Sequence, residues 1–400
     1  MFTTSEHTLH GLRRREVSHV YGQANVRTPT NAGDLCSVTM SLIKEISRAS
    51  AKTADGSVEM KSMFHYFACD VMSRFVFGPE THLNLVGDPA QRPLVQDRIS
   101  ASHFRKLLVH GWYPGLMRAI SKSTILPATI TSLASRNSQI LQIGTSAAKE
   151  AQQAAANGDE KHGTRSVTSV VDKLAIRMLD PDNKARLSTN YIASEAMDHI
   201  MAALFRHMSL PENRHRQEAL QKELDSTFGD CEGLEQDAAL GYRKLDACPQ
   251  VLAVIKETLR LNPPIPDSLE RVNTSVDNLS IMGYTIPKGT VISSQPYSIH
   301  RDATVFPRPE EWIPERWLEQ IKDDEEGTRA KNRQFWAFGS GSRMCLGMHL
   351  AWMEMKVVVA AMYLTYETQL GSRWEEADAD IRLFPRGPDC PIIFRVRQRS

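Results

Sequence analysis

Of the six cysteines in the chain, Cys345 is the one whose neighbours prepare it for chemistry. It lies in Phe338-Gly339-Ser340-Gly341-Ser342-Arg343-Met344-Cys345-Leu346-Gly347, which leads into a stretch where Leu346, Leu350, Met353, Val357, Ala361 and Leu364 recur at helical spacing. A cysteine at a helix N-terminus meets free backbone N–H groups and the positive end of the helix dipole. Both favour the thiolate and make the sulfur a competent metal ligand. Gly341 and Gly347 lack side chains, so the backbone can fold tightly and bring its donors close to a flat partner. Phe338 is placed to shield the sulfur from water, and Arg343 supplies a fixed charge for a carboxylate on a cofactor rim.

The pattern F-x-x-G-x-R-x-C-x-G fixes five positions in ten residues, which makes a chance match rare. It resembles the heme-binding loop of the cytochrome P450 family, where such a cysteine is the axial iron ligand. A second feature stands far from it. Glu257 and Arg260 are three apart on one face of a helix read from Gln250 to Leu261, where their side chains can meet. Pro263-Pro264 follows, and later Phe306-Pro307-x-Pro309-x-x-Trp312-x-Pro314-Glu315-Arg316-Trp317 resembles the family's second arginine motif. The resemblance implies that Glu257, Arg260 and Arg316 form a buried structural charge triad. It further implies that His10 and Arg14, in His10-Gly11-Leu12-Arg13-Arg14, contact a heme propionate, with Arg271 a third propionate candidate.

The implied function is a heme-dependent monooxygenase that oxidises a hydrophobic small molecule, of a type found in fungal secondary-metabolite biosynthesis. Its cofactor would be iron protoporphyrin IX with an axial thiolate, and its electrons would come from NADPH through a reductase partner. The endoplasmic reticulum membrane surface is the implied location, with the cytoplasm as the alternative. Two pieces of the family pattern are expected to be missing. The chain starts where members already have an anchor and a β-rich region. The helix read from Asn190 to Ala203, capped by Ser188 and Thr189, passes directly into Leu204-Phe205-Arg206 without the acid-Thr pair that relays protons to bound oxygen, about a dozen residues short. Asp198 and His199 lack the family's spacing, so no catalytic residue is assigned. A second reading stays open, that of a non-catalytic truncated member binding heme weakly or not at all.

The elements that must position these groups are mainly helical, with a smaller β portion: a cytochrome P450-like fold, expected to be incomplete at its N-terminus. One domain is expected over 1–400, α-rich over 1–262 and mixed over 263–400. Helical patterns run from Val58 to Val76 and from Gln139 to Ala155, and Ser209-x-x-Glu212 with Pro211 reads as a capping box opening a helix from Asn213 to Leu224. Ser280 to Ser294 reads as short strands joined by turns around Gly283 and Gly289. Ile321 to Arg333, with Asp323-Asp324-Glu325-Glu326, reads as a solvated loop.

Composition excludes other classes. With 48 Lys and Arg against 47 Asp and Glu, no long-range field marks a nucleic-acid binder. The remaining cysteines, Cys36, Cys69, Cys231, Cys248 and Cys390, form no CxxC pair and suit a reducing compartment. The polar start Met1 to Val20 has no signal-peptide core, and His349, Glu354 and Lys356 interrupt the apolar run Met344 to Tyr366, which reads as a buried helix and not a membrane span.

Overall fold

The computed structural model describes residues 17–78, 82–93, 197–265, 268–275, 279–318, 325–371 and 390–397, with Gly11, Arg14 and Arg15 ahead of them. The readings made for His10, for Gln139 to Ala155 and for the start of the Asn190 helix lie outside these residues. The chain divides into two compact units, Met1–Cys248 with Leu346–Ser400, and Pro249–Cys345.

In the first unit, Thr28 accepts the Asn31 N–H at 3.4 Å and Pro29 occupies the first turn of the helix Pro29–Ser50. That pairing satisfies one orphan N–H and presets φ where no N–H is needed. Ala32, Leu35, Leu42 and Ile46 of this helix are buried. Glu59 caps the helix Met60–Phe77 by accepting the N–H groups of Lys61 at 2.9 Å and Ser62 at 2.8 Å. Val58 and Glu59, read from the sequence as helix, are strand instead, because Val58 pairs with Ile392 and Glu59 with Pro391. The strands Ser57–Glu59, Pro391–Val396 and Tyr366–Leu370 form one antiparallel sheet with Pro391–Val396 at its centre.

The core of this unit is an aromatic stack across three helices. Phe205 of Met197–Ser209 stacks on Phe64 at 5.1 Å and, nearly parallel, on Tyr363 of Met348–Thr365 at 5.4 Å. In Met348–Thr365, every residue from Val357 to Leu364 is fully buried. A helix apolar all round belongs in a core, as the sequence reading held for this stretch, and among the described residues no helix is long and apolar enough to cross a membrane.

Two readings are corrected here. The helix expected to end near Ala203 continues without a break to Ser209. Ser209 is therefore the last residue of one helix and not the cap of the next, and its buried Oγ has no hydrogen-bond partner among the described residues. The chain leaves through a 3-10 turn, Pro211–Asn213, whose Asn213 amide donates to the His207 carbonyl at 2.7 Å and closes the helix end from outside. The next helix is Arg214–Phe228.

In the second unit, the helix Pro249–Leu261 is followed by two antiparallel strand pairs, Leu269–Val272 with Val291–Ser294 and Leu279–Ile281 with Tyr284–Ile286. The second pair turns on Met282 and Gly283, both at positive φ (49° and 84°), the geometry of a two-residue hairpin of primed type. The charged stretch read as a loop contains a helix, Glu325–Gln334. Glu325 and Glu326 stand in its first turn, where carboxylates favour the helix dipole, and Lys331 and Arg333 stand in its last.

Candidate functional site

The helix Pro249–Leu261 places Glu257 and Arg260 three apart and wholly buried. Glu257 accepts from Arg260 Nη2 at 2.9 Å and Arg316 Nε at 3.0 Å through Oε1, and from Arg260 Nε at 3.0 Å through Oε2. Oε1 also accepts the Ile313 N–H at 2.9 Å and Oε2 the Trp317 Nε1–H at 2.8 Å. Arg260 spends its other three protons on the carbonyls of His300 (2.9 Å), Pro309 (2.7 Å) and Glu311 (3.0 Å). Arg316 also donates to the Pro307 carbonyl at 2.9 Å. Buried charges are tolerable only when paired and fully hydrogen-bonded, and here every Arg260 proton is used. The two halves of the triad are thus drawn together, and the arginines pin the loop Pro307–Glu311 by its carbonyls.

Beyond the triad lies the cysteine loop. Gly341, at φ +66°, opens the 3-10 turn Gly341–Arg343, a backbone setting that suits glycine. Cys345 is exposed and forms no disulfide, and its N–H donates to the Phe338 carbonyl at 2.8 Å. That bond ties the two ends of the loop. Phe338 and Arg343 are half-buried.

Arg271 lies on the strand Leu269–Val272, half-buried beside the exposed Glu270 and Val272. Burial first, and then the nearby Arg343 guanidinium, pull its pKa below the ordinary arginine value. A guanidinium of this kind is suited to pairing with a carboxylate.

One expectation about the cysteine is corrected. Cys345 does not stand at the helix N-terminus; the helix starts at Met348 and Gly347 is its N-cap residue, with its carbonyl accepting the Ala351 N–H at 2.9 Å. The residues Leu346 and Gly347 form a turn between them. Arg14 is half-buried in helical backbone and, like Gly347, belongs to the first unit. His10 lies outside the described residues.

The residue types fit heme. Among the described residues no three His, Cys, Asp or Glu side chains converge as metal ligands. An accessible thiol in a glycine-opened loop is what the described residues offer such a cofactor.

Sequence reasoning missed three participants. His300 is fully buried against Arg260 and Trp336, with its pKa lowered by burial to about 4. Trp317 was quoted only as part of a motif, yet its indole completes the Glu257 shell. Trp312 donates to Thr258 Oγ1 at 3.0 Å. A lone histidine carries no spacing signal, so only the fold reveals His300.

The family model described as Cytochrome P450 matches residues 28–386. Tryptophan 6-hydroxylase fscE of Fusarium equiseti is 26% identical over 388 residues, covering 92% of this chain and 70% of that protein. Cytochrome P450 monooxygenase FGM1 of Gibberella zeae is 26% identical over 419 residues, covering 100% and 77%. Cytochrome P450 monooxygenase sdnH of Sordaria araneosa is 26% identical over 381 residues, covering 92% and 66%.

Proposed function

This chain belongs to the cytochrome P450 family, and from that premise we propose that Cys345 supplies the axial thiolate of its heme. The chain is a heme-dependent monooxygenase of the fungal secondary-metabolism type, an oxidoreductase with the mainly helical fold of its family. Its cofactor is iron protoporphyrin IX, with electrons supplied by NADPH through a reductase. When bound, heme supplies the activation of dioxygen and the transfer of one oxygen atom to a substrate.

The observation that carries the ligand assignment is the loop itself: an exposed cysteine whose N–H is held by the Phe338 carbonyl. Cys345 donates its sulfur, and the Cys345 N–H to Phe338 bond fixes the direction from which it does so. On the family's pattern Arg343, Arg271, His10 and Arg14 would be the residues that hold the propionates, by charge-assisted hydrogen bonds. Phe338 excludes water from the sulfur, while Gly341 and Gly347 keep the approach open. The triad of Glu257, Arg260 and Arg316 touches no reacting atom and acts by stiffening the loops around it. One heme domain over 1–400 is the organisation this reading requires.

The substrate is a hydrophobic small molecule, and the place of action is the endoplasmic reticulum surface, on the family's pattern. The test is the carbon monoxide difference spectrum of the reduced, heme-loaded protein. A thiolate-type Soret band is expected in the wild type and its loss in Cys345→Ala. A thiolate band retained in the variant would refute the assignment.

A second reading, a non-catalytic member, is favoured by one observation. The segment 190–209 contains no acid-Thr pair, and its helix Met197–Ser209 passes Ala203 and Leu204 without interruption. A thiolate spectrum together with NADPH consumption and no oxygenated product, across a panel of apolar substrates, would support it. Product formation would dismiss it.

A further inference from the structure

His300 is fully buried and uses both ring nitrogens. Nδ1 lies 2.9 Å from the Arg260 carbonyl oxygen, and Nε2 lies 2.8 Å from the Trp336 backbone nitrogen. A carbonyl can only accept and a backbone N–H can only donate. Nδ1 must therefore carry the proton and Nε2 the lone pair, so the ring is neutral and of one tautomer. Burial opposes its protonation, as do the charges of Arg260 and Arg301, while the Arg260 carbonyl and the Glu257 carboxylate favour it. Phe335 stacks on the imidazole at 5.9 Å and 14°.

From Trp336 the hydrogen bonds run on to the cysteine. The Trp336 carbonyl accepts the Gly339 N–H at 3.0 Å, and the Phe338 carbonyl accepts the Cys345 N–H at 2.8 Å. Behind the imidazole stands Arg260, whose Nη1 holds the His300 carbonyl at 2.9 Å and whose other edge holds Glu257. All of these residues lie in the unit Pro249–Cys345. No other neutral side chain offers a donor on one edge and an acceptor on the other of a rigid ring.

We infer that His300 is a positioning residue for Cys345, coupling the Glu257–Arg260 pair to Trp336, two residues ahead of the cysteine loop, and so setting how the sulfur is presented. The inference rests on Cys345 being the heme ligand. Partners behind a metal ligand orient it, and their loss costs about 10- to 100-fold in metal affinity or activity.

Two variants separate the two ring contacts. His300→Asn keeps a donor at the Nδ1 position and removes the acceptor for Trp336; His300→Gln places a carbonyl oxygen near the Nε2 position. The readouts are heme affinity, the thiolate fraction in the carbon monoxide spectrum and the midpoint potential of the iron, with thermal unfolding as a control.

H300N is expected to lose thiolate fraction and about 10- to 100-fold in heme affinity while still unfolding cooperatively, and H300Q to regain most of both. If H300N matches the wild type in affinity, thiolate fraction and potential, the inference is overturned. A wild-type protein without a thiolate band would instead sink the Cys345 assignment, a distinct result. Should neither variant fold, amide exchange in the wild type decides: the Trp336 N–H is expected to be strongly protected, and exchange at the rate of a free amide overturns the inference.

Discussion

Arg260 and His300 hold each other at two points. The Arg260 guanidinium donates to the His300 carbonyl at 2.9 Å, and the His300 Nδ1–H donates to the Arg260 carbonyl at 2.9 Å. One residue ends a helix and the other lies forty positions on, so this reciprocal pair closes a long loop with two buried bonds. Its value is in the asymmetry of buried polar groups: made, each bond contributes modestly; broken, each leaves an unpaired group that costs far more.

Glu257→Gln therefore tests the triad. The variant removes the carboxylate that pairs with two buried guanidiniums and should destabilise the protein by about 3–5 kcal/mol. Denaturant unfolding monitored by circular dichroism would measure it. A loss below about 1 kcal/mol, the range of an exposed ion pair, would mean that the charges reach solvent.

The acid side of the stability profile reports His300. Its folded pKa, about 4, lies below the ordinary value of 6.5, so the unfolded chain binds the extra proton as pH falls between them. Stability from this group is present above pH 6.5 and is lost as pH falls toward 4, by roughly 3 kcal/mol in full. His300→Gln, which does not titrate, should flatten that part of the curve. An unchanged acid slope in H300Q would contradict the buried neutral imidazole.

Glu354 acts in the opposite direction. It is 2% exposed, its Oε1 has no hydrogen-bond partner among the described residues, and burial raises its pKa to about 8 from 4.5. The folded state holds the proton over that window, so its contribution falls as pH rises from 4.5 through 8. Glu354→Gln should remove the slope, and Glu354→Leu should raise stability at pH 8 by on the order of 2–4 kcal/mol, since an apolar side chain replaces an unpaired buried carboxylate. Because the His300 and Glu354 windows overlap, the comparison must be made variant against wild type at each pH. A destabilised E354L would show that the carboxyl has a partner.

Phe205→Ala should cost about 3–5 kcal/mol, the range for truncating a buried aromatic side chain. It would remove the ring that stacks between Phe64 and Tyr363 and leave a void between three helices. Thermal unfolding checks the loss, and a change below about 1 kcal/mol would mean that the helices close over the gap.

Local chemistry was legible in the sequence wherever close spacing carried it. The cysteine pattern over ten residues, the Glu257 to Arg260 interval, and the strand texture around Gly283 all depend on neighbours within a few positions. The helix 348–365 was readable as buried because its apolar run is long yet interrupted by His349, Glu354 and Lys356. What the chain could not announce was pairing at a distance. Val58 becomes strand only because Ile392 lies across from it, Ser209 fails as a cap because Asn213 reaches back to His207, and the charged stretch read as a loop holds the helix Glu325–Gln334.

The same division runs through the site. The sequence, read with its family resemblance, singled out Cys345, Arg343 and the triad, and the structure brings the triad's three side chains together. Only the tertiary structure showed that Cys345 precedes its helix by a turn, and that a histidine with no motif of its own bonds both Arg260 and the Trp336 backbone. Hydrogen bonds between segments forty residues apart depend on where the backbone returns, and burial of the intervening chain decides that return.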